Sequence, residues 1–218
     1  EKAGLQSWLK KYAGPWHHSL ILRYYPNMLP VAGGEANIDD KKAAVGAFKM
    51  ARTETTMWQY ALFYTSQGND MRANKDLSSL SWGINGDNPV VYVSWFDAAL
   101  YANWLSRRFG LREAYKMGEV SKGDYGDYYK NIALDSSSNG YRLPTEVEWE
   151  YAARGGAAQE NFRYPGNNEI DSVGWYSGNS GNRTRPVATK QANNLGLYDM
   201  SGNAWERCGD WHGEYPAT

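Results

Sequence analysis

In the second half of this chain, from Gly155 to Thr218, no apolar pattern of period 3.6 or 2 persists beyond a few residues. Glycine, asparagine, proline and aromatic residues follow one another irregularly instead. Irregular backbone carries N–H and C=O groups that no helix or ladder satisfies, so a folded segment of this kind needs side chains or an ion to take them up. The composition suits that need. Ten Trp and seventeen Tyr stand against five Phe, and indole and phenol groups join a large apolar body to a hydrogen-bonding tip. The 218 residues suffice for one large domain or two small ones with a hydrophobic core.

The first half is more regular. "LQSWLKKY" reads as a short amphipathic helix and "PWHHSLILRYY" as extended chain. "PNMLPVAGGEANIDDKK" carries prolines and a glycine pair that mark turns around a short strand, and the alternation in "GAFKMARTE" (46–54) predicts another. Thr56 and Gln59 have the spacing of a capping box, opening a helix with Trp58, Ala61, Leu62 and Thr65 as its apolar stripe and Gly68-Asn69 as its stop. In "VSWFDAALYANWLSRRFG", Asp97 is the expected N-cap and Ala98, Tyr101, Trp104 and Leu105 line one face. Arg107 and Arg108 suit the negative end of that helix, and Gly110 ends it. Residues 115–139 read as an excursion with a short strand around "NIALD". "GYRLPTEVEWEYAARGG" holds a second capping box, Thr145 with Glu148, an i,i+4 pair Glu150–Arg154, and Gly155-Gly156 as left-handed closing positions.

Several function classes lack their signatures. The net charge is −1, with both signs mixed along the chain, so no basic footprint for nucleic acid exists. No apolar run approaches the roughly 18 residues of a membrane span. Cys208 is the single cysteine and His17, His18 and His212 have no ligand spacing, which leaves no zinc pattern. A G-x-S-x-G elbow and a phosphate-binding glycine loop are absent.

Within "NNLGLYDMSGNAWERCGDW" (193–211), Asp199 and Glu206 flank a glycine turn. Calcium takes roughly six to eight oxygens, so these two would offer carboxylate oxygens, and Gly202 and Ala204 backbone carbonyls. Small residues let the backbone close on an ion. By spacing alone, the same acids serve equally as solvated or capping groups. Cys208 is either a thiol activated by Arg207 and His212 or a small filler between Trp205 and Trp211.

"NPVVYVSWFDAALYANWLSRR", "GYRLPTEVEWEYAARGG" and "NNLGLYDMSGNAWERCGDW", in this order and spacing, closely resemble the formylglycine-generating enzyme (sulfatase-modifying factor) family. "MLPVAGG" and "FKMARTETTMWQY" resemble its opening. The resemblance divides the chain into an N-terminal extension, 1–27, and one domain, 28–218. It implies an α+β protein with the C-type lectin-like fold of the formylglycine-generating-enzyme type: few short helices, small twisted sheets and much irregular structure. It also implies a structural calcium around "DMSGNAWE", with ligands at Asp199, Gly202, Ala204 and Glu206. "GWYSGNSGNRTRP" matches the family's second calcium site poorly.

Enzymes of this family oxidise a substrate cysteine with a copper-bound cysteine pair near the end of the domain. Cys208 falls at the family's "WEWC" position and matches neither member of that pair, so no catalytic residue is carried over. The H-x-x-x-H-x-E iron motif of relatives joined to iron sulfoxide synthases is absent too. The resemblance then implies a non-catalytic ligand-binding scaffold, of the kind represented by bacterial variable proteins diversified by retroelements. Such a protein would sit outside the cytoplasm or on the cell surface and bind a protein or other surface ligand through irregular loops on a rigid frame. Tyr, Asn, Ser and Trp in 161–182 are suitable contact chemistry, with no single contact assigned. The alternative is the copper-dependent oxidase itself, with its cysteine segment beyond Thr218.

Overall fold

A computed structural model describes residues 23–38, 41–68, 86–123, 126–129 and 131–210. The helix expected before residue 22, and His17, His18, Trp211 and His212, lie outside them. Within the described residues the strands form four small antiparallel pairs. β1 (Met28–Val31) pairs with β4 (Phe48–Ala51), enclosing the hairpin of β2 (Gly34–Ile38) and β3 (Lys41–Val45). Strand alternation turns Ala36 and Ile38 of β2 inward. They join Val31, Val45 and Met50 in one core. β5 (Tyr115–Lys116) pairs with β8 (Ala133–Leu134), the strand expected at "NIALD", and β6 (Val120–Gly123) with β7 (Gly126–Tyr129).

α1 (Met57–Ser66) starts as expected: Gln59 N–H donates to Thr56 Oγ1 at 3.3 Å, and Thr56 N–H to Gln59 Oε1 at 3.1 Å. Its buried stripe differs from the expected one. Met57, Tyr60 and Phe63 face inward, whereas Trp58 and Thr65 lie on the exposed side. The reason is the neighbour. α2 (Trp95–Arg108) presents Tyr101, Trp104 and Leu105, and Phe63 packs edge-on to Tyr101 and Trp104 with ring centroids 5.7 and 5.8 Å apart. Tyr60 and Phe63 bury more area against those rings than Ala61 and Thr65 could.

α2 also begins earlier than expected. Ser94, not Asp97, is its N-cap: Asp97 N–H donates to Ser94 Oγ at 3.2 Å, and Ser94 N–H donates to Asp97 Oδ2 at 3.1 Å. The Ser–x–x–Asp pair satisfies two free backbone donors, which Asp97 as a lone cap could not. Asn103, almost fully buried on this helix, pairs its amide with the Tyr115 peptide, donating to its C=O at 2.7 Å and accepting from its N–H at 3.0 Å. Gly110 is left-handed after the last turn.

α3 (Glu146–Ala153) lays Tyr151, Ala152 and Ala153 onto the β1–β4 core together with Leu197 and Met200. Thr145 caps it as expected, Arg154 bonds Glu150 at 2.6 Å, and Gly155 and Gly156 are both left-handed. Beyond it, among the described residues, a 3-10 turn (Gly156–Ala158) and two one-turn helices follow, α4 (Ile170–Val173) and α5 (Ser177–Ser180). Among the described residues no helix is long and apolar enough to cross a membrane.

Glu148 belongs to both the cap and a fork. It accepts Thr145 N–H at 2.9 Å and both Arg142 Nη groups, at 2.7 and 2.6 Å. Burial pushes its carboxyl up, but the Arg142 guanidinium and the Thr145 N–H outweigh that and hold it below the usual glutamate range. A depressed carboxyl contributes stability that is fully present above its unfolded pKa and lost as pH falls through the folded one. Glu148→Gln is therefore expected to cost about 2 kcal/mol at neutral pH. It should also flatten the acid limb of stability below about pH 4.5, as read from thermal melts at pH 3–7.

Candidate functional site

After α3 the chain returns to the core through Asn193, Leu197 and Met200, all buried. Between these anchors and Cys208 it curls tightly. Gly196, Asp199, Gly202 and Asn203 have φ of 80°, 59°, 124° and 67°, left-handed positions suited to Gly, Asn and Asp. Ala188, which packs beside them, shares that conformation at φ 57° without such an excuse. Strain of this kind persists only where surrounding contacts over-determine it.

The contacts are visible. Asp199 is 3% exposed; its Oδ2 accepts the Ala188 N–H at 2.8 Å, and its Oδ1 is buried without a partner. Gly202 lies so close to Trp175 that an added Cβ would meet the Trp175 carbonyl oxygen. Asn203 ties four segments together. Its N–H donates to Trp175 O at 2.7 Å, and its Oδ1 accepts Arg185 N–H at 2.8 Å. Its Nδ2 donates to Arg185 O at 3.1 Å and to Glu54 Oε2 at 2.7 Å. The other oxygen of Glu54 accepts the Ala204 N–H at 2.9 Å. Glu54 comes from the turn between β4 and α1 and is 6% exposed.

The electrostatics follow from this crowding. Burial, with Glu206 and Asp199 nearby, pushes Glu54 up to about 9 against the pull of Ala204 N–H and Asn203. Burial likewise raises Asp199, against the Ala188 N–H. Glu206 shows surface to solvent as a residue, but its carboxyl group sits in the desolvated interior. There burial, and then Asp199, push it up to about 7, partly offset by the neighbouring Trp149 indole. The Ser201 hydroxyl is buried without a partner.

The structure thus brings Asp199 and Glu206 together and gathers Gly202 and Ala204 into the same turn. Among the described residues no group of three or more His, Cys, Asp or Glu side chains converges as a metal cluster. A cation held here would need backbone carbonyls as well as Asp199 and Glu206, and an oxygen-rich set of that kind suits calcium. The orphaned Asp199 Oδ1 and the tight Gly202 turn fit such an ion. Sequence reasoning missed Glu54 and Asn203. The available signals were an acid embedded in the apolar–polar run "FKMARTETTMW" and an Asn directly after the turn glycine.

Among the described residues nothing activates the Cys208 thiol. The residue is half-buried, its carbonyl accepts the Trp95 indole N–H at 2.9 Å, and burial with Asp210, Glu146 and Glu206 pushes the thiol up to about 11. Trp205, between the pinned Ala204 and Glu206, is fully exposed. Within 161–182, Phe162 and Tyr176 are exposed, while Trp175 lies under Lys190 Nζ at 4.0 Å and bonds Thr189 Oγ1 at 2.8 Å.

The family described as sulfatase-modifying factor enzyme 1-like domain matches residues 22–217. "Chaperone protein LppX" of Paenibacillus barcinonensis is 33% identical over 207 residues, covering 84% of this chain and 69% of that one. The formylglycine-generating enzyme of Thermomonospora curvata is 35% identical over 139 residues, 57% of this chain and 34% of the enzyme. This chain therefore spans about a third of that enzyme's length. Two solved structures superpose well. CarF has TM-score 0.67 and 30% identity over 89% of this chain and 84% of its own. Treponema denticola variable protein 1 has TM-score 0.66 and 26% identity over 86% and 74%.

Proposed function

Because this chain belongs to the sulfatase-modifying factor enzyme 1-like family and has its C-type lectin-like fold, we propose that it is a non-catalytic ligand-binding scaffold braced by calcium. The observation that carries this reading is the loop from Asp199 to Glu206. It is fixed from behind by Glu54, Trp175, Arg185 and Ala188, while it holds Trp205 out to solvent. A rigid aromatic on a pre-organised loop binds with little loss of conformational freedom. The ligand would be a protein or other surface molecule. Asp199, Gly202, Ala204 and Glu206 would hold the ion, which would supply positive charge to two desolvated carboxyls and lock the turn. A position outside the cytoplasm or on a bacterial surface, as for a retroelement-diversified variable protein, would suit an oxygen-ligand site of modest affinity. The relative LppX is named a chaperone protein.

Chelation is expected to lower the melting temperature of the purified chain, and Glu206→Ala to abolish that sensitivity. Calorimetric melts in calcium and in chelator check this; identical curves for the unsubstituted protein would remove the ion. A second reading is favoured by the 35% identity to the Thermomonospora enzyme: a copper-dependent oxidase of substrate cysteine whose cysteine pair lies outside these residues. Incubating the full-length protein, with any residues that follow Thr218, with copper and a cysteine peptide in air distinguishes the two. No oxidation above buffer is expected, and turnover would overturn the scaffold reading.

A further inference from the structure

Glu54 is not among the proposed ligands, yet its carboxyl holds the backbone that carries them. Both its oxygens accept N–H donors, Ala204 N–H at 2.9 Å and Asn203 Nδ2 at 2.7 Å, which ties the carboxyl to the loop. The backbone around it, from Arg52 to Thr55, is held at three points. Tyr198 N–H donates to Arg52 O at 3.0 Å, Val90 N–H donates to Thr55 O at 2.9 Å, and the Thr53 hydroxyl donates to Glu54 O at 3.1 Å. The residue therefore enters the loop from a fixed base 150 positions away in the chain. In the same loop, Asp199 Oδ1 is a buried acceptor without a partner on a residue 3% exposed.

We infer that Glu54 is the positioning carboxylate of the calcium loop, setting the path of residues 203–206 by holding the Ala204 N–H and the Asn203 amide. The inference rests on the calcium reading above. A carboxylate in this role acts by reach and direction. Removing one methylene withdraws it from two N–H groups at once, although the carboxyl group is retained. Replacing it with an amide keeps the length but turns an NH2 group toward a donor. A residue that merely added negative charge to the neighbourhood would respond to the second change and not to the first.

The test is metal affinity, by calorimetry with calcium and by tryptophan-sensitised terbium luminescence, at a temperature where near-UV circular dichroism shows each variant folded. Glu54→Asp and Glu54→Gln are each expected to weaken binding at least tenfold. Wild-type affinity in both would overturn the positioning role while leaving the calcium site standing. Loss in Glu54→Gln alone would show a charge effect and overturn it equally. A wild-type chain that binds neither ion would overturn the calcium reading and this inference together. If neither glutamate variant folds, Asn203→Gly keeps the left-handed backbone and removes one of the two links. It should then weaken binding several-fold, and unchanged affinity there would count against the role.

Discussion

Asn203→Ala is expected to destabilise the protein by about 4 kcal/mol and to lower the melting temperature by roughly 10 °C. The side chain makes three hydrogen bonds, to both backbone groups of Arg185 and to one oxygen of Glu54. Truncation leaves the Glu54 oxygen facing a void in a buried setting, and a group stripped of its partner this way costs about 1–3 kcal/mol. Alanine must also adopt φ 67°, a left-handed conformation that costs about 1–2 kcal/mol. Solvent reaching the half-buried Arg185 peptide offsets part of the total. Asn203→Gly separates the causes, because it relieves the backbone and restores none of the bonds. Glycine should recover about 1 kcal/mol of the alanine loss. Chemical denaturation of the two variants and the parent measures both steps. A loss under 1 kcal/mol for alanine would show that the Trp175 and Ala188 contacts hold the loop without it.

The same residue shows where sequence reading ends. Thr56–Gln59 and Thr145–Glu148 were legible as helix starts because a capping box is local: both partners lie within one turn, and its chemistry does not depend on the rest of the molecule. The start of α2 was misread by a few residues for a related reason. Asp97 is a good cap in isolation, and only the reciprocal bond with Ser94 decides which of the two is the cap and which reaches back. The buried face of α1 was legible as amphipathic but not in rotation, since Phe63 turns inward to meet Tyr101 and Trp104 of another helix. Asp199 and Glu206 were offered as a pair from their spacing around a glycine, which suited solvated or capping acids equally, and the family resemblance favoured the pair. Glu54 could not, because its link to Ala204 is long-range and passes through a turn whose shape no periodicity records.

Asn193 carries the second large effect, and its signature is pH-dependent. Its Nδ2 donates to Ala152 O at 2.8 Å and to Ala153 O at 3.0 Å, carbonyls in the last turn of α3. Its Oδ1 accepts Leu195 N–H at 3.0 Å and Leu197 N–H at 3.1 Å. One amide thus closes a helix and nucleates the turn that delivers Leu197 and Met200 to the core, from a site 6% exposed. Asn193→Asp preserves shape and the accepting oxygen but sets a second oxygen against two carbonyls at the negative end of a helix. The loss at neutral pH is expected to be about 4 kcal/mol, against about 3 kcal/mol for Asn193→Ala, where repulsion is absent. Burial and the facing carbonyls raise the folded pKa of the introduced carboxyl above its unfolded value of about 3.9. The penalty should therefore be smallest below that value, where the protonated group regains a donor, and should grow as pH rises through the folded pKa. Denaturation at pH 4 and pH 7 for the parent and both variants reads this directly: the aspartate deficit narrows on acidification relative to the alanine one. A deficit that is equal at the two pH values would mean that the introduced carboxylate has turned to solvent and that α3 ends without this amide.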